Sequence, residues 1–203
     1  MSKPSSRSYT GPIILSIVIF LVLASWSHGS SRDTKMSQES SSQPAVALSK
    51  LTIRIRQTQT SPPTLALSVT NDNTSPLTIL RWGTPLDPMA LQLGVLSVTP
   101  EGKDAPLELP TIALRRVMPP RDEDKVTLHP GESRENEVVL RETMLPFEEL
   151  GKTARVAAKG NWQAVWPTTA DQLSTELVEK LQFGEGVLTG EFETEAVEIT
   201  IPQ

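Results

Sequence analysis

Apolar and polar residues alternate strictly at the start of the folded part of this chain. Leu51, Ile53 and Ile55 interleave with Thr52, Arg54 and Arg56, the period of a strand with one buried face. Leu65, Leu67 and Val69 repeat the pattern, and Leu77–Trp82 follows the polar turn Asn71–Pro76, so the second and third strands are expected to pair as a hairpin. A further strand is read over Leu91–Thr99. Leu107–Arg115 is expected to be extended, with Pro110 confining it to an edge or a bulge. Lys125–Leu128 and Glu135–Leu140 flank His129-Pro130-Gly131-Glu132-Ser133, the layout of two antiparallel strands joined by a Pro-Gly turn. Two end strands are read over Val187–Phe192 and Ala196–Ile201, with Val197, Ile199 and Ile201 inward and Glu195, Glu198 and Thr200 outward.

Helical signals are brief. Pro146–Leu150 stops at Gly151, and Asp171–Leu181 carries Leu173, Leu177 and Leu181 at four-residue spacing before Gly184, which predicts a short amphipathic helix. The 17 prolines outnumber the 11 glycines, in keeping with short strands and irregular connections. The fold class is therefore all-β: an immunoglobulin-like antiparallel β-sandwich with short helical inserts, plus one N-terminal hydrophobic helix. The Cys…Trp…Cys hallmark of true immunoglobulin domains is missing, so the architecture alone is claimed.

That N-terminal element is Pro12 to Trp26, an uncharged apolar run behind Lys3 and Arg7. It is shorter than the roughly 20 residues that span a bilayer comfortably, and Ser25, Ser27 and Gly29 supply small residues for a signal peptidase. Tyr9 and Trp26, 17 positions apart or roughly 26 Å along a helix, also suit the interfacial ends of a short anchor. Both readings stand, a cleaved signal peptide or a single-pass signal anchor over 1–29 that meets the membrane through residues 12–26. Either one puts the remainder on the lumenal or extracellular side, since the basic flank precedes the run. Residues 30–45 read as a flexible polar linker and 46–203 as the β-sandwich domain.

Charge changes the picture little. The net charge is −5, and the segment after Lys180 carries Glu185, Glu191, Glu193, Glu195 and Glu198 without a Lys or Arg. Nothing here forms the clustered basic footprint that nucleic acid requires. The chain contains no cysteine, which excludes a disulfide framework, a thiol nucleophile and a Cys-ligated metal.

The run Asn71-Asp72-Asn73-Thr74-Ser75-Pro76-Leu77-Thr78-Ile79-Leu80-Arg81-Trp82-Gly83-Thr84-Pro85-Leu86-Asp87, with the turn Leu128-His129-Pro130-Gly131-Glu132-Ser133, resembles the non-catalytic β-sandwich region beside the catalytic domain of fungal deuterolysin-like and peptidyl-Lys metalloendopeptidases. The resemblance covers about Leu48–Lys159. By analogy it implies a module that binds or restrains such a protease. The zinc helix of those enzymes needs His-Glu-x-x-His, whereas this chain has only His28 and His129. The catalytic domain is therefore absent from this sequence.

Other chemistry is sparse. No Gly-x-Ser-x-Gly elbow, P-loop or dinucleotide fingerprint occurs. Arg121-Asp122-Glu123-Asp124-Lys125 lacks the ligand spacing and glycine of an EF-hand loop and reads as a solvated loop. Trp162 and Trp166, at even separation on one strand, share a face and serve either as core or as an aromatic platform. No catalytic, cofactor-binding or metal residue is assigned, and no cofactor. The single modification site assigned is the sequon Asn73-Thr74-Ser75, in a turn expected to be solvent-exposed. The leading function is a non-catalytic secretory-pathway module acting by protein contact with an unknown protein partner. The alternative is an unrecognised enzyme or accessory factor in a fungal small-molecule biosynthetic pathway, which needs a deep pocket at Arg115, Arg116, Asp87 or the paired tryptophans.

Overall fold

The computed structural model describes residues 46–202; the expectations for residues 1–45, including His28, lie outside them. Among the described residues nine strands form two sheets. Strand β1 (Leu51–Thr60) pairs antiparallel with β2 (Pro63–Asn71), and β2 with β6 (Ser133–Val139), making a three-stranded sheet. The second sheet is organised on one long strand, β7 (Thr153–Trp166). It collects β3 (Leu77–Leu80), β4 (Leu96–Pro100), β8 (Leu188–Glu193) and β9 (Val197–Thr200) directly, and β5 (Lys125–Leu128) through β3.

Residues 154–156 of β7 pair with both β4 and β9, and Val165 pairs with both Ile79 and Leu188. A strand residue has only two edges, so β9 and β8 lie in succession on one side of β7, with β4 and β3 on the other. The facing sheets enclose Leu65, Leu67, Val69, Leu77, Ile79, Val98, Leu128, Val156 and Trp162. Burial of one such side chain is worth about 1.5–3 kcal/mol, so this filled interior dominates the stability.

Both expected hairpins are corrected. Strands β2 and β3 do not pair, nor do β5 and β6; in each case the turn carries the chain from one sheet to the other. The reason is Asn71, whose side chain is fully buried. Its Nδ2 donates to Ser75 O at 3.0 Å and to Leu128 O at 2.9 Å, while its backbone N–H donates to Glu132 O and its carbonyl accepts from Gly131 N. The two crossover turns are thus fastened to each other.

Trp162 and Trp166 were expected on one face; a register shift between Trp162 and Val165 places them on opposite faces. A bulge adds one residue and so inverts the alternation beyond it. Trp162 enters the main core, 4.9 Å from Phe192 between ring centroids. Trp166 joins Leu80, Trp82 and Ala164 in a second cluster beneath Leu173, Leu181 and Val187.

The helix expected over Asp171–Leu181 is reduced to α1 (Thr175–Lys180). Ser174 adopts an extended backbone and its hydroxyl accepts from Leu177 N, so the helix begins after it. The strand expected over Leu91–Thr99 begins only at Leu96, after a series of turns. Leu107–Arg115 is extended but joins no sheet: residues 106–117 run without helix, strand, turn or bend. Val197 is half-buried, whereas Ile199 and Ile201 are core residues as expected.

Candidate protein-contact site

The irregular segment 106–117 forms a strap over the outside of the domain. Proline at 106 and 110 removes two ladder donors, and among the described residues two backbone bonds hold the segment: Leu107 N to Val98 O at 2.8 Å and Ile112 N to Gln92 O at 3.0 Å. Leu107 and Leu109 lean on the main core. From Ile112 onward the strap is exposed along the domain surface, with Ile112, Leu114 and Val117 at 45, 43 and 61 % exposure and the adjoining Met118 at 51 %. None of the backbone N–H or C=O groups of residues 113–118 finds a hydrogen-bond partner among the described residues.

Its far end is pinned by chemistry that begins 29 positions earlier. The Arg116 guanidinium bonds to the carboxylate of Asp87, which is fully buried. Asp87 also accepts from Gly83 N at 2.7 Å and Met89 N at 3.0 Å. Arg116 lies over the ring of Trp82 at 5.6 Å, a cation–π contact that adds to the pin. The Trp82 indole N–H in turn donates to Asp124 at 2.7 Å.

The loop Gly83–Asp87 that makes this anchor is itself rigid. Gly83 takes φ 64, a left-handed conformation that glycine adopts without strain. Thr84 Oγ1 donates to Arg81 O, and the Arg81 side chain donates to Leu86 O at 3.0 and 2.8 Å. Asn136 Nδ2 ties the same loop to β6 through Pro85 O and Asp87 O.

Arg115 takes the opposite course. It is exposed and makes no ion pair or hydrogen bond among the described residues. Arg121, the other nearby cation, is paired with Glu123 at 3.2 Å. The strap therefore presents one uncompensated positive charge between apolar side chains.

The remaining candidates separate clearly. Arg115 and Arg116 border a shallow depression of about 190 Å³ together with Trp82 and Asp124, and Asp87 lies buried behind Arg116. The paired tryptophans are packed inside. His129 is exposed in its turn, its backbone N–H held by Glu132. Asp122–Asp124 form one turn of 3-10 helix, and no cluster of metal-ligating side chains occurs among the described residues. A wider groove of about 750 Å³ opens between the edge of β1 and β8, lined by Ile53, Arg54, Trp162, Phe192 and Glu193. Farther along β1, the side chain of Gln57 pairs with both backbone groups of Thr200 in β9.

Asn73 is corrected in its setting. Its side chain is 4 % exposed: Oδ1 accepts from Ala47 N at 2.8 Å, and Nδ2 donates to Ala47 O at 3.2 Å and to Asn71 Oδ1 at 3.0 Å. The turn does not present this amide to solvent, because the amide serves as a clasp for the entry of the chain into the domain.

Two facing antiparallel sheets with crossover turns define an immunoglobulin-like sandwich, and the chain belongs to the immunoglobulin-like domain family, whose model matches residues 50–201. It is also similar to an uncharacterized secreted protein of Arthroderma benhamiae, 35 % identical over 140 residues that cover 68 % of this chain and 69 % of that protein.

Proposed function

We propose that this chain is a secreted, non-catalytic module that acts by protein contact through the 106–117 strap. The observation that carries this reading is the strap itself, an irregular segment whose backbone beyond Ile112 finds no partner among the described residues and which exposes three apolar side chains, Ile112, Leu114 and Val117. Surfaces of that kind serve partners that add a strand or bury an apolar stripe. Secretion is supported by the Pro12–Trp26 run and by the relative described as a secreted protein. A role beside a peptidase is supported by the resemblance of Leu48–Lys159 to the region that accompanies fungal metallopeptidase domains.

Replacing Leu114 and Val117 together by serine tests the reading, since neither side chain belongs to a core cluster. The thermal midpoint is expected to stay within about 2 °C, as surface changes fall within roughly 0.5 kcal/mol. Partners captured from culture medium by the native chain are expected to be lost. Capture unchanged by the double substitution would remove the strap from the function.

Amino-terminal sequencing and intact mass of the protein from a fungal host test the secretory part. A start near His28 or Ser30 is expected for a cleaved leader; an intact Met1 would make it a membrane-anchored protein instead. Asn73 is expected to carry no glycan, because a sugar on Nδ2 takes one of its two donor hydrogens and cannot fit where the buried Nδ2 donates to Ala47 O and Asn71 Oδ1. A mass shift removed by a glycan-cleaving amidase and mapped to Asn73 would overturn that expectation.

A further inference from the structure

The strap has the features of a peptidase substrate held in place. Residues 106–117 run without turn or bend, and near their end two neighbouring arginines have opposite surroundings. Arg116 turns inward onto Asp87 and Trp82, and Arg115 turns outward, unpaired. Residues 113–118 are held by two fixed points, the Ile112 N to Gln92 O bond just before them and the Arg116 to Asp87 bond within them. A cleft that fits this stretch must pair with an extended backbone, accept apolar side chains on both sides, and neutralise a guanidinium at the centre. Those requirements describe an endopeptidase with an acidic primary pocket.

We propose that residues 113–118 bind such an endopeptidase as a substrate-like inhibitor, with Arg115 in the acidic pocket and the Arg115–Arg116 bond at the catalytic group. This rests on the reading of the strap as the contact surface and names its partner class. In a serine enzyme the hydroxyl oxygen adds to the Arg115 carbonyl, its proton passes to the catalytic base, and the C–N bond to Arg116 breaks. The new amine takes that proton. An ordinary substrate then diffuses apart and water hydrolyses the ester. Here the amine belongs to Arg116, whose side chain remains fastened to a buried carboxylate and an indole ring. It stays beside the ester, re-forms the amide and returns the proton to the serine oxygen, so the complex persists with little net hydrolysis. Preorganisation of the strap at both ends lowers the entropy lost on binding in the same way.

The probe is trypsin, assayed on a small chromogenic substrate with the full secreted chain as inhibitor, and with intact mass followed in parallel. Saturable inhibition is expected, with cleavage at Arg115–Arg116 at least 100-fold slower than in a peptide of residues 110–120. Arg115→Ala is expected to weaken inhibition at least 100-fold and Arg115→Lys less than tenfold. Chymotrypsin is expected to be unaffected, and Arg116→Gln, which releases the pin, to raise the cleavage rate at least tenfold. Rapid cleavage without inhibition, no effect on trypsin, or equal inhibition of chymotrypsin would each overturn the proposal. If trypsin is not inhibited while the Leu114/Val117 double substitution still abolishes partner capture, the peptidase assignment alone fails. If trypsin is not inhibited and partner capture also survives the double substitution, the contact reading falls with it.

Discussion

Replacing Asp87 by alanine is expected to destabilise the domain by about 3 kcal/mol, the lower end of the range for removing one partner of a buried ion pair. The lower end applies because the Arg116 side chain keeps 25 % exposure and can recover water. The carboxylate also holds Gly83 N and Met89 N, so alanine strands two backbone donors as well as a guanidinium. For a domain of this size the loss corresponds to a fall in thermal midpoint of about 6–12 °C. Asp87→Asn is expected to be nearly as damaging, since one amide oxygen cannot replace both carboxylate oxygens and the amide NH₂ must then face another donor. Arg116→Ala and the double substitution complete a cycle in which the pair should show a coupling of about 1–3 kcal/mol. Limited proteolysis gives a second readout: the strap, released at its far end, should become the first site cut. An Asp87→Ala protein with native midpoint and native protease resistance would show that the pin neither stabilises the fold nor holds the strap.

The period of the chain reveals which residues are strands but not which strands meet. Leu65-Leu67-Val69 and Leu77-Ile79 are both inward-facing sets, and an inward face is the same whether the next strand lies alongside or across the sandwich. What decides between them is the side chain of Asn71, and an asparagine at the head of a polar turn looks alike whether it faces solvent or reaches across to Leu128 O. The bulge in β7 is hidden in the same way. Trp162 and Trp166 are four apart whatever happens between them, and only the shift before Val165 reveals that they part company.

The candidate site was half legible. Pro110 marks Leu107–Arg115 as extended and marginal to a sheet, and the charges of Arg115, Arg116 and Asp87 suit the lining of a pocket. The expectation that apolar residues seek burial concealed the exposure of Ile112, Leu114 and Val117. The adjacent arginines also look equivalent in sequence. They differ because Asp87 and Trp82 hold Arg116, whereas Arg115 faces water. Trp82 and Asp124, which complete the anchor, were missed: Trp82 read as the end of a strand and Asp124 as part of a solvated loop. No sequence signal joins them, because Trp82 and Asp124 stand 42 positions apart and meet only in the folded chain.

Asn71→Asp should distinguish a structural clasp from an ordinary turn asparagine more sharply than any truncation. All four hydrogen-bonding positions of the Asn71 side chain are used: Nδ2 toward two carbonyls, of Ser75 and Leu128, and Oδ1 toward Asn73 N and Asn73 Nδ2, both at 3.0 Å. The partners themselves fix the orientation of the amide, because two carbonyl oxygens demand a donor and a backbone N–H demands an acceptor. Asn71→Ala strands four groups at about 1–3 kcal/mol each at most, and with partial relaxation a loss of about 3–4 kcal/mol is expected. Asp has nearly the same shape but places an anionic oxygen against the Ser75 and Leu128 carbonyls in a fully buried position, so it should cost at least as much as alanine. At an exposed turn the order reverses, since Asp and Asn are both favoured turn residues and alanine is not. Chemical denaturation of the native chain and the two variants reads this order directly. Should Asn71→Asp match the native protein, the fastening of the two crossover turns would have to reside in their backbone bonds alone.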